Sequence, residues 1–526
     1  MKKFVSVLLV IALCMAGCGR DSSSASVYAA VEDNYRNYYE IFVYSFYDSD
    51  GDGIGDLKGV EEKLDYVADL GCNGIWLMPV CPSTTYHKYD VTDYMSIDPE
   101  YGTMQDFESL IKAAHDKHIN IIVDMVINHS SSKHPWFIEA TDYLRGLNVG
   151  EEPDSAICPY VDYYHFSKEK KDNTWYQIDG TEYYYEGSFW SEMPDLNLSD
   201  QRLMNEIKDI MSFWMDKGVD GFRMDAPLHY EETDTKFNTS VLNELYEHCK
   251  TVNPDIYMVS EVWASEQSIE EYYDSNTPSM FDFTFAQAEG DIIKTTRGNE
   301  KAERFVSRMV EYEDGRSKRN PTYINAPFIT NHDMPRVSNV LNGKTDKMKM
   351  SAALLLSMTG SPFIYYGEEL GMSSSGTKDE NKRLPMYWSD KDAAGMCKGP
   401  VDADEGITQK CEPADIQCED ETSLYNLYKR ALCIRNANPA IARGKSVILD
   451  ELTRDNIAVI SRTWDEKTIY IIYNTSKEGV EVGLKDATED FSGLSVIGTV
   501  SAYGTESALN EGIVNVPGYS VTYLGR

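Results

Sequence analysis

Three acidic residues, Asp225, Glu261 and Asp333, each close an apolar run of the sequence: GFRMD, YMVSE and PFITNHD. A carboxylate at such a position is costly to bury unless it has a partner or a task. Asp225 has a partner nearby, because Arg223 lies two positions earlier and strand geometry puts both side chains on one face. A guanidinium there holds the carboxylate ionised and aimed, as a nucleophile must be. Glu261 can supply a proton if neighbouring negative charge raises its pKa. One ionised and one protonated carboxyl are the chemistry of glycoside hydrolysis. Structural ion pairs explain any single acid equally well; three acids together with Arg223, His129 and His332 favour a reacting site.

These residues need a scaffold that gathers strand ends. Eight short apolar runs recur along the chain: EIFVYSF (40–46), GIWLMPV (74–80), IIVDMVIN (121–128), GFRMDAP (221–227), YMVSEVW (257–263), FDFTF (281–285), PFITNHD (327–333) and PFIYYGEEL (362–370). Continuous apolar runs alternating with helices are parallel strands buried on both faces. Eight of them predict an α/β fold closed as a (β/α)8 TIM barrel, whose chemistry sits at the C-terminal strand ends. Asp225 and Glu261 are 36 positions apart and Glu261 and Asp333 are 72 apart, which suits one and two βα units. Asp124 and Asp225 are 101 positions apart, so that interval carries a surplus. Residues 129–192, rich in Tyr, Gly and Asp with little helical periodicity, read as a small domain inserted after the third strand. The barrel is then 35–128 plus 193–440. From 441 to 526, alternating segments such as IAVISRTW and TIYIIYN predict a C-terminal antiparallel β-sandwich domain.

With 526 residues the chain suits one large domain and smaller ones, and its formal charge of −37 argues against a nucleic-acid partner. Lys2 and Lys3 precede an apolar run, 4–13, too short to span a bilayer. Met15-Ala16-Gly17-Cys18 follows and resembles a bacterial lipoprotein signal, although Met15 is an unusual first residue for it. That resemblance implies a signal peptide over 1–17, a lipid on Cys18, a serine-containing tether over 18–34, and export to the cell membrane or surface. A plain secretory signal is the alternative. The absence of a CxxC pair argues against a zinc site, and one disulfide is expected within the region of Cys397, Cys411 and Cys418.

DMVINH (124–129), GFRMDA (221–226), EVW (261–263) and TNHD (330–333), in that order, resemble the motifs of glycoside hydrolase family 13, the α-amylase family, across nearly the whole mature chain. MPDLN (193–197) resembles its additional motif, found in members between α-amylases and the oligo-1,6-glucosidase and neopullulanase types. The resemblance implies Asp225 as nucleophile, Arg223 as its positioning partner, Glu261 as general acid/base, and Asp333 as the acid that binds sugar hydroxyls. Beside these acids, His129 and His332 are expected to hydrogen-bond sugar hydroxyls, the alternative being satisfied core histidines, and Tyr89 resembles the tyrosine on which the reacting sugar stacks, the alternative being plain packing. The insert's aromatics, Trp175, Tyr183, Tyr184, Tyr185 and Trp190, are candidates for outer sugar subsites, although each taken singly is read as core of a small domain.

Asp48 to Asp56, DSDGDGIGD, sets acids at alternate positions around glycines, which suits a hard cation. Gly59 stands where an EF-hand needs its glutamate. The segment resembles instead the calcium loop of oligo-1,6-glucosidase-like members, implying a structural Ca²⁺ on Asp48, Asp50, Asp52, Asp56 and the Ile54 carbonyl. A second calcium, on the counterparts of Asn128 and His229, stays open because Leu228 replaces the lysine usual before that histidine. Ala226 after the nucleophile resembles amylases, whereas α-1,6-specialised members carry Val. Tyr86 stands three residues before Tyr89, where exo-acting α-glucosidases place an Asp. Both imply an endo-acting enzyme on α-1,4-glucans and maltooligosaccharides, and a monomer is expected. The alternatives are an exo-acting α-glucosidase, oligo-1,6-glucosidase or transglycosylating neopullulanase-like enzyme and, more remotely, a non-catalytic sugar-binding lipoprotein. A retaining mechanism implies Asp225 and Glu261 carboxyls about 5–5.5 Å apart.

Overall fold

The computed structural model describes residues 31–526 apart from 149, 392, 393, 488 and 490. The expected signal peptide and Cys18 lie outside the described residues. Seven parallel strands form the central sheet: β1 (Tyr38–Ile41), β2 (Gly74–Leu77), β3 (Asn120–Met125), β7 (Gly221–Met224), β8 (Tyr257–Ser260), β9 (Ser279–Met280) and β10 (Phe363–Tyr365), in the order β10-β1-β2-β3-β7-β8-β9. β1, β2, β7, β8, β9 and β10 are buried at every position, as sheets covered on both faces require. Two glycines set the strand starts: a Cβ at Gly221 would lie 2.3 Å from the Tyr257 carbonyl oxygen, and one at Gly74 would lie 2.5 Å from the Tyr38 ring.

The eighth position of the barrel is backbone rather than a regular strand. Phe281 and Ala326 form a parallel bridge, and the Phe363 N–H donates to the Pro327 carbonyl at 2.9 Å. These two contacts carry the circle from β9 to β10. FDFTF and PFITNHD therefore differ from expectation. The sixth strand precedes most of FDFTF, and PFITNHD begins with one bridging step before turning away as the loop that carries Asp333.

Outer helices show their cause in sequence. Asp200 caps Gln201–Asp216 through hydrogen bonds from the Arg202 and Leu203 N–H groups, and Leu203, Ile207, Ile210, Met211 and Trp214 form its buried stripe.

Between β3 and β7 the chain builds a small three-stranded antiparallel sheet, β4 (Phe166–Ser167), β5 (Trp175–Gln177) and β6 (Tyr184–Glu186), in the order β4-β6-β5. Contrary to the expectation of little helical periodicity, this part also holds a 12-residue helix, Pro135–Gly146. His134 caps it, Pro135 takes its first turn, and Phe137, Ala140, Thr141 and Leu144 are its buried face. Trp175, Tyr183 and Tyr185 are buried here, whereas Phe189 and Trp190 are about half exposed.

Beyond the last barrel helices, Leu424–Ala437 and Ala440–Arg443, the chain is all antiparallel. β11 (Lys445–Ile448), β12 (Ile457–Trp464), β13 (Lys467–Asn474), β15 (Ser495–Ser501) and β18 (Ser520–Gly525) form one sheet, in the order β11-β12-β13-β18-β15. β14 (Val480–Gly483), β16 (Ala508–Asn510) and β17 (Ile513–Val516) form the other. Val459, Ile472, Val514, Val516 and Leu524 share the core of this part.

The expected disulfide is not formed: Cys397, Cys411 and Cys418 are all free thiols. Their surroundings differ. Cys397 faces Asp48 and Asp56, Cys411 lies in the fields of Arg336 and Glu369, and Cys418 meets Tyr425 and Asp69. Among the described residues, no helix is long and apolar enough to cross a membrane.

Candidate active site

Arg223 is the hub. It sits on β7, 1% exposed, and its guanidinium meets three carboxylates: Nη1 donates to Asp124 Oδ1 at 2.7 Å and to Asp225 Oδ1, and Nη2 lies 2.7 Å from Glu261 Oε2. β3, β7 and β8 are adjacent in the sheet, so three neighbouring strand ends deliver these acids to one point. The Trp76 ring lies 5.2 Å from the Arg223 guanidinium carbon. Ala226 turns the chain after the nucleophile candidate with φ of 48°, a left-handed conformation that strongly disfavours a β-branched residue. Its N–H points at Glu261 Oε2 at 3.4 Å.

One positive charge cannot keep three buried carboxyls equally ionised. Burial raises Glu261 first, and the Asp225 and Asp333 charges add to it against the pull of Arg223, bringing Glu261 to about 7. Glu261 is thus partly protonated at neutral pH and a carboxylic acid below it. Burial also pushes Asp333 up, but the charges of His332, Arg383 and Arg223 outweigh it and hold the group well below the usual carboxylate range. Accessibility is graded: the Asp225, Glu261 and Asp333 side chains are 8%, 10% and 31% exposed.

Asp333 has its own clamp. His332 Nε2 lies 3.0 Å from Asp333 Oδ2, Arg383 Nη2 donates to Asp333 Oδ1 at 2.8 Å, and Lys382 Nζ donates to its carbonyl at 2.8 Å. Arg383 also donates to the His332 carbonyl at 3.2 Å and to the Tyr86 hydroxyl at 3.0 Å. Tyr86 thus braces the arginine that holds Asp333. The Tyr89 ring stacks on His332 at 5.6 Å and 14°, and its hydroxyl meets His332 Nε2 at 2.8 Å and Asp124 Oδ2 at 3.1 Å. Lys88, with φ of 65°, turns the loop between the two tyrosines. Its buried ammonium is anchored by Asp98 at 2.9 Å and Glu100 at 2.5 Å.

His129, 2% exposed, lies in the field of Asp225, and burial lowers its pKa. Its Nε2 is buried with no protein partner, so a bound hydroxyl or water must satisfy it. The sequence reading omitted three members of this network: Asp124, Arg383 and Glu40. Asp124 stood in a quoted motif, and Glu40 opened a quoted strand as an acid inside an apolar run. Arg383 lies in an irregular stretch with no local signal.

Asp48, Asp50 and Asp56 converge, one carboxylate oxygen from each lying within 4.8 Å of the others. Asp52, expected with them, stands outside: its Oδ1 accepts from the Ile54 N–H at 2.7 Å, and its carbonyl accepts from Lys398 Nζ at 2.9 Å. Gly51 and Gly53 N–H groups donate to Asp48 at 2.6 and 2.7 Å, and Gly59 N–H and the Ser49 hydroxyl donate to Asp56, each at 2.8 Å. The loop is therefore preformed around three oxygen donors, a set that fits a hard cation. At the candidate second site, Asn128 turns to Asp195 at 3.5 Å and His229 meets Glu232 at 3.2 Å.

The family model for the α-amylase catalytic domain matches residues 40–444. The chain is 40% identical to Alpha-amylase 3 of Dictyoglomus thermophilum over 449 residues, 84% of this chain and 85% of that one. It is 29% identical to Glucan 1,6-alpha-glucosidase of Streptococcus pneumoniae, over 84% of this chain and 90% of that one. Among solved structures, Eubacterium rectale Amy13B superposes with a TM-score of 0.90 at 44% identity, covering 94% of this chain and 96% of that one. Strand-end carboxylates gathered on one buried arginine thus meet a family match over most of the chain, and the protein belongs to the α-amylase family of glycoside hydrolases.

Proposed function

We propose that the chain is a retaining, endo-acting α-1,4-glucan hydrolase acting on starch-like glucans and maltooligosaccharides. The observation that carries the reading is the shared guanidinium: Arg223 binds both Asp225 and Glu261, while burial and neighbouring negative charge raise Glu261 to about 7. Asp225 attacks the anomeric carbon while Glu261 protonates the departing glycosidic oxygen; Glu261, now a carboxylate, then takes a proton from the water that releases the sugar. Asp333, kept ionised, accepts hydrogen bonds from sugar hydroxyls. His129 supplies its unpartnered Nε2 to another hydroxyl, and Tyr89 stacks on the ring.

Endo action is supported by Tyr86, which places a phenol rather than a carboxylate near this site and commits its hydroxyl to Arg383. The relative named as an α-amylase, at 40% identity, supports the same choice over the one named as a glucosidase, at 29%. Asp48, Asp50 and Asp56 hold a structural Ca²⁺, remote in role from the bond-breaking step. The mature chain is exported, works as a monomer and is tethered through a lipid on Cys18. A time course of products from amylose, pullulan and maltotriose tests specificity: mixed lengths early from amylose are expected, and glucose as sole early product overturns endo action.

A further inference from the structure

Glu40 lies on β1, 1% exposed, on the opposite side of His332 from Asp333. The His332 Nδ1–H donates to Glu40 Oε1 at 2.6 Å. Burial raises the Glu40 carboxyl while His332 and Arg223 pull against it; as a carboxylate Glu40 can only accept, so Nδ1 then carries the proton. The same logic applies on the other side, where Nε2 lies 3.0 Å from Asp333 Oδ2. An imidazole that donates from both nitrogens is the cation. The Tyr89 oxygen shares the Nε2 proton and passes its own to Asp124, which Arg223 holds in turn. Six groups from β1, the loop after β2, β3, β7 and the Asp333 loop thus form one connected chain of polar contacts.

We propose that Glu40 is a positioning residue of the reaction: by accepting the Nδ1 proton it keeps His332 cationic, so that Nε2–H stays aimed at the substrate-binding carboxylate of Asp333. The inference rests on the glycosidase reading above and deepens it. Without the Glu40 charge, His332 loses a proton near neutrality. Nδ1–H remains the site of choice because an acceptor stays there, and Nε2 then turns a lone pair towards the Asp333 carboxylate. Asp333 loses one of its two side-chain donors and shifts from the geometry that receives sugar hydroxyls.

The groups that face His332 favour this account. Glu40 and Asp333 flank it, and burial, which opposes its charge, is outweighed by them, so His332 rises to about 9. Tyr89 stacks on it, the Trp76 ring meets it edge-on with the centroids 5.6 Å apart, and Arg383 approaches its carbonyl. The positive charges of Arg223 and Arg383 are held by Asp124, Asp225, Glu261 and Asp333.

The test is Glu40→Gln, which keeps the acceptor and removes the charge. The substitution is expected to lower kcat/KM by about tenfold or more at pH 7 and by less than about threefold at pH 5, where His332 is protonated without help. An equal loss at both pH values, or none at either, overturns the proposal. A second measurement on the wild-type chain does not depend on the variant folding. The His332 ring, assigned by comparison with His332→Gln in an NMR titration of ¹³C-histidine-labelled protein, is expected to stay protonated through pH 8. An imidazole already neutral at pH 7 overturns the proposal. Wild-type hydrolysis of amylose separates the two levels: if it is absent, the glycosidase reading fails, while the titration still decides the Glu40–His332 pairing.

Discussion

Arg383 offers a stringent perturbation, because nothing in its local sequence marks it and yet it touches three parts of the site. Replacing it with methionine keeps the length and apolar stem but removes the hydrogen bonds to Asp333 Oδ1 (2.8 Å), the His332 carbonyl (3.2 Å) and the Tyr86 hydroxyl (3.0 Å). The bond to the Asp333 carboxylate dominates, since a hydrogen bond to a charged group is worth about 1.5–3 kcal/mol. Asp333 is 31% exposed, so water replaces part of that interaction and the loss falls near the lower end, about 2 kcal/mol. That corresponds to roughly a thirtyfold fall in kcat/KM. Arg383→Lys, which keeps the charge but not the fork, falls in between. The assay is steady-state hydrolysis of a defined maltooligosaccharide, with the melting temperature followed in parallel. A folded Arg383→Met enzyme whose kcat/KM stays within about threefold of wild type refutes the reasoning, because Asp333 would then not depend on this clamp.

Three further outcomes follow from the same geometry. A carboxyl raised to about 7 is an acid only below that pH, so log kcat/KM is expected to fall as pH rises through about 7; a limb already falling below about pH 5 would remove Glu261 from that role. A chelator is expected to lower the melting temperature by a few degrees, with Ca²⁺ restoring it in wild type but not in Asp50→Asn; an unchanged melting curve would count against a cation on Asp48, Asp50 and Asp56. Burial raises Glu368 to about 8 despite the hydroxyl hydrogen bonds of Tyr428 and Thr330. The folded chain therefore holds a proton that the unfolded chain releases from about pH 4.5, and this contribution to stability declines as pH rises from about 4.5 to 8. Glu368→Gln is expected to flatten that slope in thermal melts, and an unaltered slope would contradict it.

The barrel and its acids were legible in sequence because each lies in a short local pattern: an apolar run followed by an acid, repeated at intervals of one or two βα units. Arg223 and Asp225 were legible as a pair because period-two geometry is local. What escaped depends on contacts far apart in the chain. Glu40 is 292 positions from His332, and Arg383 is 50 from Asp333 in an irregular segment; no periodicity links such pairs. The Pro135–Gly146 helix was readable from its proline start and its stripe of Phe137, Ala140, Thr141 and Leu144, but the surrounding tyrosines masked the pattern. Cysteine spacing suggested a bridge where each thiol occupies its own environment. Alternate acids suggested four carboxylates around a cation, yet the turn at Gly51 and Gly53 sends Asp52 to the Ile54 N–H instead.

The most direct measurement is the anomeric configuration of the first product, read by proton NMR within seconds of adding a short maltooligosaccharide. With Asp225 as nucleophile and Glu261 as acid and then base, two inversions give the α-anomer first, with β appearing only by mutarotation. A β-anomer formed first would mean a single displacement by water, and Asp225 could not then be the group that attacks the sugar.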